Sequence, residues 1–171
     1  MQEILIDGYN LIRQSERLAA QERRGGLETG RNALIQTLAA YRAATGDRVT
    51  VVFDGDDGIG FVSGASRQQG IEVIFSRPPK SADDLIVKRI RRKHGKKAML
   101  VVSSDSAIRQ EARRHRIREM QAEEFEVNVR RRIMVGQAKQ TARQGEKGAL
   151  CPEDIAYWEK VFRTEERLFE A

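Results

Sequence analysis

The sequence predicts a three-layer α/β/α domain on a parallel sheet of about five strands, followed by C-terminal helices. Two observations carry this. Short apolar runs bounded by turn or cap residues alternate with stretches of helical spacing, the rhythm of parallel strands joined by crossovers. The composition is 40% hydrophobic but only 6% aromatic, which suits a core of Ile, Leu, Val and Ala.

In chain order, the first strand is Ile4 to Ile6. A helix follows with Leu34, Leu38 and Tyr41 on one face, then a second strand from Val49 to Phe53. The segment Gly55 to Gly70 holds five glycines and no clear period, so it reads as a long, mobile loop able to close on a substrate. Ile71 to Phe75 is a third strand. The helix after it turns Leu85, Ile86 and Ile90 inward, with Arg89, Arg92 and Lys93 pointing elsewhere. Met99 to Val102 and Ile117 to Met120 complete the set.

From Ala122 the pattern is purely helical, with Phe125, Val129 and Ile133 at four-residue steps. After a polar break, Gln144 to Gly148, Pro152 opens a last helix whose stripe of Ile155, Trp158, Phe162 and Phe169 should dock on the domain or on a second copy. Residues 1–121 thus form the α/β unit, and 122–171 a helical extension packing on it or on a partner.

The formal net charge of +6 and a pI of about 9.8 favour polyanionic partners, although 33% charged residues of both signs also suit a merely well-solvated surface. The single cysteine, Cys151, excludes an internal disulfide framework, and there is no CxxC or Cys/His tract for zinc. The opening MQEILIDGYN lacks the features of a secretory signal, and no apolar run approaches the roughly 18 residues of a membrane span. A cytoplasmic protein with no membrane association is expected.

The acids fall at telling positions. Asp7 directly follows the first strand, Asp54 the second and Asp105 the fourth, while Asp83 and Asp84 open the helix after the third. In open parallel sheets ligands bind at this carboxyl edge, beside the switch in strand order. Gathered carboxylates repel one another, so the arrangement calls for a cation, and hard divalent ions such as Mg2+ or Mn2+ choose oxygen ligands. Such an ion supports phosphodiester hydrolysis. Asn10 and Ser104 are placed to add hydrogen bonds, whereas neither His94 nor His115 sits beside the acids. The plainer roles are an Asp-Gly turn for Asp7, a helix cap for Asp105 and first-turn acids for Asp83 and Asp84. Asp54, followed by Gly55, Asp56 and Asp57, also suits a loop.

Taken in order, Ile6-Asp7-Gly8-Tyr9-Asn10, Phe53-Asp54-Gly55, Ser81-Ala82-Asp83-Asp84 and Ser103-Ser104-Asp105 resemble the YacP-like NYN domain, a branch of the PIN-like nuclease superfamily. The resemblance covers roughly residues 1–121, and no family motif marks the tail. It implies a PIN-like sheet of order 3-2-1-4-5 and metal-dependent endoribonuclease activity on RNA, with mRNA at the ribosome the target of some members. It places Asp7, Asn10, Asp83 and Asp105 in catalytic positions. Asp7, Asp83 and Asp105 would hold the ion together with Asp84, which matches a second acid of some related nucleases. Asp54 would stand one step behind the ion, and Ser104 is expected beside it.

For RNA contact the candidates are Tyr9 beside the site, with Lys88, Arg89 and Arg113 from the basic runs of the third-strand helix and the fifth-strand region. Phe61 in the glycine-rich loop is a further stacking candidate, with core packing the plainer role. Two other readings stand beside the nuclease. One is a non-catalytic RNA-binding or ribosome-associated module that keeps the fold, and a homodimer is compatible with either. The other is a phosphatase using Asp54 as nucleophile, prompted by Asp54-Gly55-Asp56 after an apolar strand; that strand is not the first, and Asp57-Gly58 replaces the usual following residues.

Overall fold

The computed structural model describes residues 1–55, 65–92 and 98–144. The elements are β1 (Glu3–Asp7), α1 (Gly8–Gln14), α2 (Glu16–Thr45), β2 (Arg48–Phe53), β3 (Ala65–Gln68), β4 (Ile71–Phe75), α3 (Ala82–Arg91), β5 (Met99–Val102), α4 (Ser106–Arg114), β6 (Arg118–Met120) and α5 (Ala122–Gln144). The stripe from Ile155 to Phe169, Cys151, His94 and Phe61 lie outside the described residues.

One six-stranded sheet runs in the order β3-β4-β2-β1-β5-β6, with every pairing parallel except β3 with β4. Without β3, this is the anticipated five-strand order. The apolar runs are strands because they are buried on both faces, which a parallel sheet requires. Alternation sorts their side chains: Ile4, Ile6, Val49, Val51, Ile71, Val73 and Val102 join a core under α1, α2 and α5, whereas Leu5, Val52, Met99 and Val101 join a second core under α3 and α4. Leu34, Leu38 and Tyr41 of α2 and Ile86 and Ile90 of α3 fill these layers, as their spacing predicts.

The glycine-rich loop reading needs correction at its far end. Residues Ala65–Gln68 pair with β4 as an antiparallel edge strand through a two-residue turn at Gln69 and Gly70, whose φ values are 52° and 82°. Two successive positive φ angles match the right-handed twist of a tight hairpin. The strand is polar and largely exposed, so it gives no hydrophobic period to read. Charged and polar side chains also suit a sheet edge that must not recruit another strand.

Two helices carry features that their spacing alone does not give. The α2 stretch is broken at Gly26 (φ 80°, ψ 179°), so residues before the break follow a different axis from those that pack on the sheet. A side chain is strained at that φ, which is why glycine stands there. The α5 helix is part of the main core at its start: Ala122 and Phe125 are fully buried and Val129 nearly so. Its position is fixed by a buried hydrogen bond of 2.6 Å from the Ser15 hydroxyl, at the junction of α1 and α2, to the Glu126 carboxylate. Arg130 pairs with the other oxygen of Glu126 at 3.1 Å. No helix among the described residues is long and apolar enough to cross a membrane.

Candidate active site

The strand order reverses at β1, which pairs with β2 on one side and β5 on the other. The carboxyl ends of β1 and β5 therefore flank the switch point, the usual ligand crevice of open α/β sheets. Asp7 ends β1 and caps α1, accepting the Asn10 N–H at 3.1 Å. Its other carboxylate oxygen accepts the hydroxyl of Ser103 at 3.2 Å. Gly8 is required next to it because a Cβ there would collide with the Phe53 ring.

The Ser103-Ser104-Asp105 turn after β5 builds the opposite wall. Ser103 is fully buried and, besides donating to Asp7, accepts the backbone N–H of Asp105 at 3.1 Å. Asp105 caps α4, with one oxygen accepting the N–H groups of Ala107 and Ile108 at 2.7 and 3.1 Å. The Asn10 side-chain oxygen accepts the Ser104 N–H at 2.8 Å, tying α1 to the same turn. Ser104 donates its hydroxyl to Glu123 at 2.9 Å and accepts the Ala122 N–H at 3.2 Å, so the start of α5 is fastened there as well.

Asp54 supplies the third wall. One of its oxygens accepts the Ser76 hydroxyl at 3.1 Å and the Ala82 N–H at 2.6 Å, joining the ends of β2 and β4 to the start of α3. Gly55 donates its N–H to Ser76 at 3.1 Å, and a Cβ at Gly55 would strike the Ser76 carbonyl. Asp83 is the next residue along α3. Asp84 completes a capping box with Ser81, its carboxylate accepting the Ser81 N–H at 2.9 Å.

Electrostatics tie these acids together. Burial pushes the Asp7 carboxyl up to about 6, against the hydrogen bonds from Asn10 and Ser103, and the charges of Asp83 and Asp54 push it further. Asp83 is also raised, by partial burial first and then by Asp105, Asp54 and Asp84. Asp84 is lowered by its bonds to Ser81. The acids thus feel one another across the switch point. Among the described residues, no three carboxylate, histidine or cysteine side chains form a ready-made metal cage. An all-oxygen set crowded by like charges nevertheless fits a hard divalent ion, which typically takes one or two carboxylates and keeps water in its remaining positions.

The anticipated RNA contacts are not all free at the acidic edge. Tyr9 is buried, with its ring edge-on to Phe53 at 5.1 Å and its hydroxyl accepting from Arg31 at 2.7 Å, so it presents no open stacking face. Arg89 pairs with Glu72 at 2.7 Å and Glu3 at 3.4 Å, near the amino ends of β4 and β1, which puts it at the edge opposite the acids. Arg113, in the last turn of α4, is bound to Glu119. Lys88 is exposed on α3. His115 sits at the far end of α4 beside Glu111.

The sequence reading missed Ser103, Ser76 and Glu123. Ser103 had a detectable signal, since it is the polar residue that ends an apolar strand immediately before the Ser104-Asp105 pair.

The sheet order and the acidic carboxyl edge define a PIN-like, nuclease-type α/β fold. The model of the family described as the YacP-like NYN domain matches residues 4–163, and the chain belongs to that family. It is 37% identical over 91 residues to the uncharacterized protein YacP of Bacillus subtilis (strain 168). That match covers 52% of this chain and 51% of YacP, so the chain spans about half the length of this curated relative. Two crystal structures of Rae1 (YacP) from Bacillus subtilis are similar. One has a TM-score of 0.66 and 29% identity, covering 100% of this chain and 96% of that one. The other, of a mutant in which a tryptophan is replaced by leucine, has a TM-score of 0.70 and covers 92% of both chains; at 24% identity this second likeness speaks for the fold alone.

Proposed function

We propose that this chain is a divalent-metal-dependent endoribonuclease that hydrolyses phosphodiesters of single-stranded RNA. The observation that carries the reading is Asp7: a buried carboxylate, held by two hydrogen bonds at the β1/β5 switch point and facing the like charges of Asp83 and Asp54. Keeping that group ionised is costly without a cation. Asp7, Asp83 and Asp105 would hold Mg2+ or Mn2+, with Asp84 at the margin. The ion, when bound, lowers the pKa of a water and neutralises charge on the phosphate.

The remaining work belongs to the chain. Asn10 spends its oxygen on Ser104, which leaves its amide N–H groups to meet a phosphate oxygen. Ser103 orients Asp7 against Asp105. Asp54 fixes the helix start that carries Asp83. With His115 at the far end of α4, the described residues leave proton transfer to carboxylates and water. The family resemblance adds mRNA at the ribosome as the target class, and the basic net charge of +6 suits a polyanionic target.

A second reading, an RNA-binding or ribosome-associated module without catalysis, is favoured by one observation. Asp105 and Asp84 each commit an oxygen to capping a helix. The discriminating experiment incubates the purified chain with single-stranded RNA and Mg2+ or Mn2+, with and without EDTA. Cleavage that EDTA abolishes and Asp7→Asn stops supports the nuclease. Ion-independent binding with no turnover supports the module.

A further inference from the structure

The two sides of the sheet treat their arginines differently. On the α3/α4 side five arginines are held by carboxylates, Arg89 by Glu72 and Glu3, Arg91 and Arg114 by Glu111, and Arg109 and Arg113 by Glu119, while Lys88 and Arg92 stay exposed. On the other side, α1 and the segment of α2 before Gly26 present exposed Arg13, Arg23 and Arg24, and among the described residues no carboxylate pairs with any of them.

These helices stand at the acidic edge. The α1 helix begins at Asp7 itself. Arg31, just past the kink, reaches Tyr9 and lies over the ring of Phe75, the last residue of β4. The part of α2 before Gly26 therefore lies at or beyond the carboxyl ends of the strands. Arg13 and Arg23 line one open concavity of about 500 Å3 with Ala19, Glu22, Gly26 and Leu27. The Arg13 guanidinium is also held 5.8 Å from the centre of the Tyr9 ring, two residues from Asp7.

We infer that this concavity is where the RNA backbone lies as it leaves the acidic edge, with Arg13 and Arg23 each neutralising a phosphate. The inference rests on the nuclease reading and adds a direction to it: the strand runs toward the α1–α2 side and away from α3 and α4. Unpaired guanidiniums are suited to phosphate oxygens, which they meet through two parallel hydrogen bonds. Arginines already bound to carboxylates would have to give up those partners first. Gly26, where α2 kinks, lines the concavity, and a straight α2 would carry Arg23 along a different line.

The test measures binding of a fluorescent single-stranded RNA to the full chain carrying Asp7→Asn, over a salt series. Replacing Arg13 and Arg23 together by Ala should weaken binding at least tenfold and reduce the slope of log affinity against log salt by about 1.4, since each single-strand phosphate contact contributes about 0.7. Replacing both by Lys should retain most of the slope. Arg91→Ala with Arg113→Ala should leave it unchanged. An unaltered slope in the Arg13/Arg23 variant, with its melting temperature preserved, overturns the inference; so does a larger loss from the Arg91/Arg113 pair. Cleavage by the chain bearing Asp7 is scored separately: if Asp7→Asn cuts as fast as the parent, the nuclease reading falls, whatever the salt slopes show.

Discussion

The Ser103 hydroxyl lies 3.2 Å from the carboxylate of Asp7, and its donated proton is the only side-chain hydrogen bond that Asp7 receives among the described residues. The same oxygen accepts the Asp105 N–H. One buried atom therefore sets the spacing of the two walls of the switch point.

Ser103→Ala should accordingly leave a buried acceptor and a partly buried N–H poorly satisfied, at about 1–3 kcal/mol of stability. Urea unfolding measures that loss. Cleavage should fall more steeply than RNA affinity, and Ser103→Thr, which keeps the hydroxyl, should recover part of the rate.

Asp7 predicts an unusual pH dependence. Its carboxyl titrates at about 6 in the folded chain against 3.8 for the free group, so between these values the folded state holds more protons than the unfolded one. In EDTA this group's contribution to stability should therefore be most favourable below about pH 4 and decline as pH rises through 6. Asp7→Asn keeps a capping side chain and removes the buried charge, so at pH 7.5 without metal it should be more stable than the parent, by on the order of 1–3 kcal/mol. A melting temperature at or below the parent's would contradict this.

Asp54→Ala removes the acceptor for both Ser76 and Ala82. The start of α3 then loses its tie to β2, and Asp83 with it. Metal affinity, read from the Mn2+ concentration that gives half-maximal cleavage, should weaken by about tenfold, the lower end of losses seen when a residue behind a metal ligand is removed. Because Asp54 makes no covalent intermediate in this scheme, no phosphorylated protein should accumulate in either form.

Phe125→Ala probes the role of α5. The side chain is fully buried and edge-on to Tyr41 at 5.6 Å. Its loss should cost about 3–5 kcal/mol. A cost below about 1 kcal/mol would mean that α5 adds little to the core.

The fold was legible wherever burial leaves a period. The runs Ile4–Ile6 and Met99–Val102 are strands because both sheet faces are covered, and Leu34, Leu38 and Tyr41 mark their helix face directly. β3 was hidden because its side chains are solvated and only its backbone is paired. The positions of Asp7, Asp54, Asp83 and Asp105 relative to the strands were also readable, since topology alone sends strand ends to one edge. What each carboxylate touches was not: Asp54 bonds to Ser76 and Ala82, 22 and 28 residues away in sequence. The arginines were hardest of all. Arg89 and Arg113 look available in a sequence, and only three-dimensional pairing shows that carboxylates already occupy them.

The α3 helix is fastened at its start by Asp54 and at its end by the 2.7 Å pair between Arg91 and Glu111. Ties at both ends limit the swing of the helix, so Asp83 has a defined place above the sheet before any ligand arrives. On the proposed function, a divalent ion would meet a frame already in place, and its binding energy would not be drained by the ordering of loose chain.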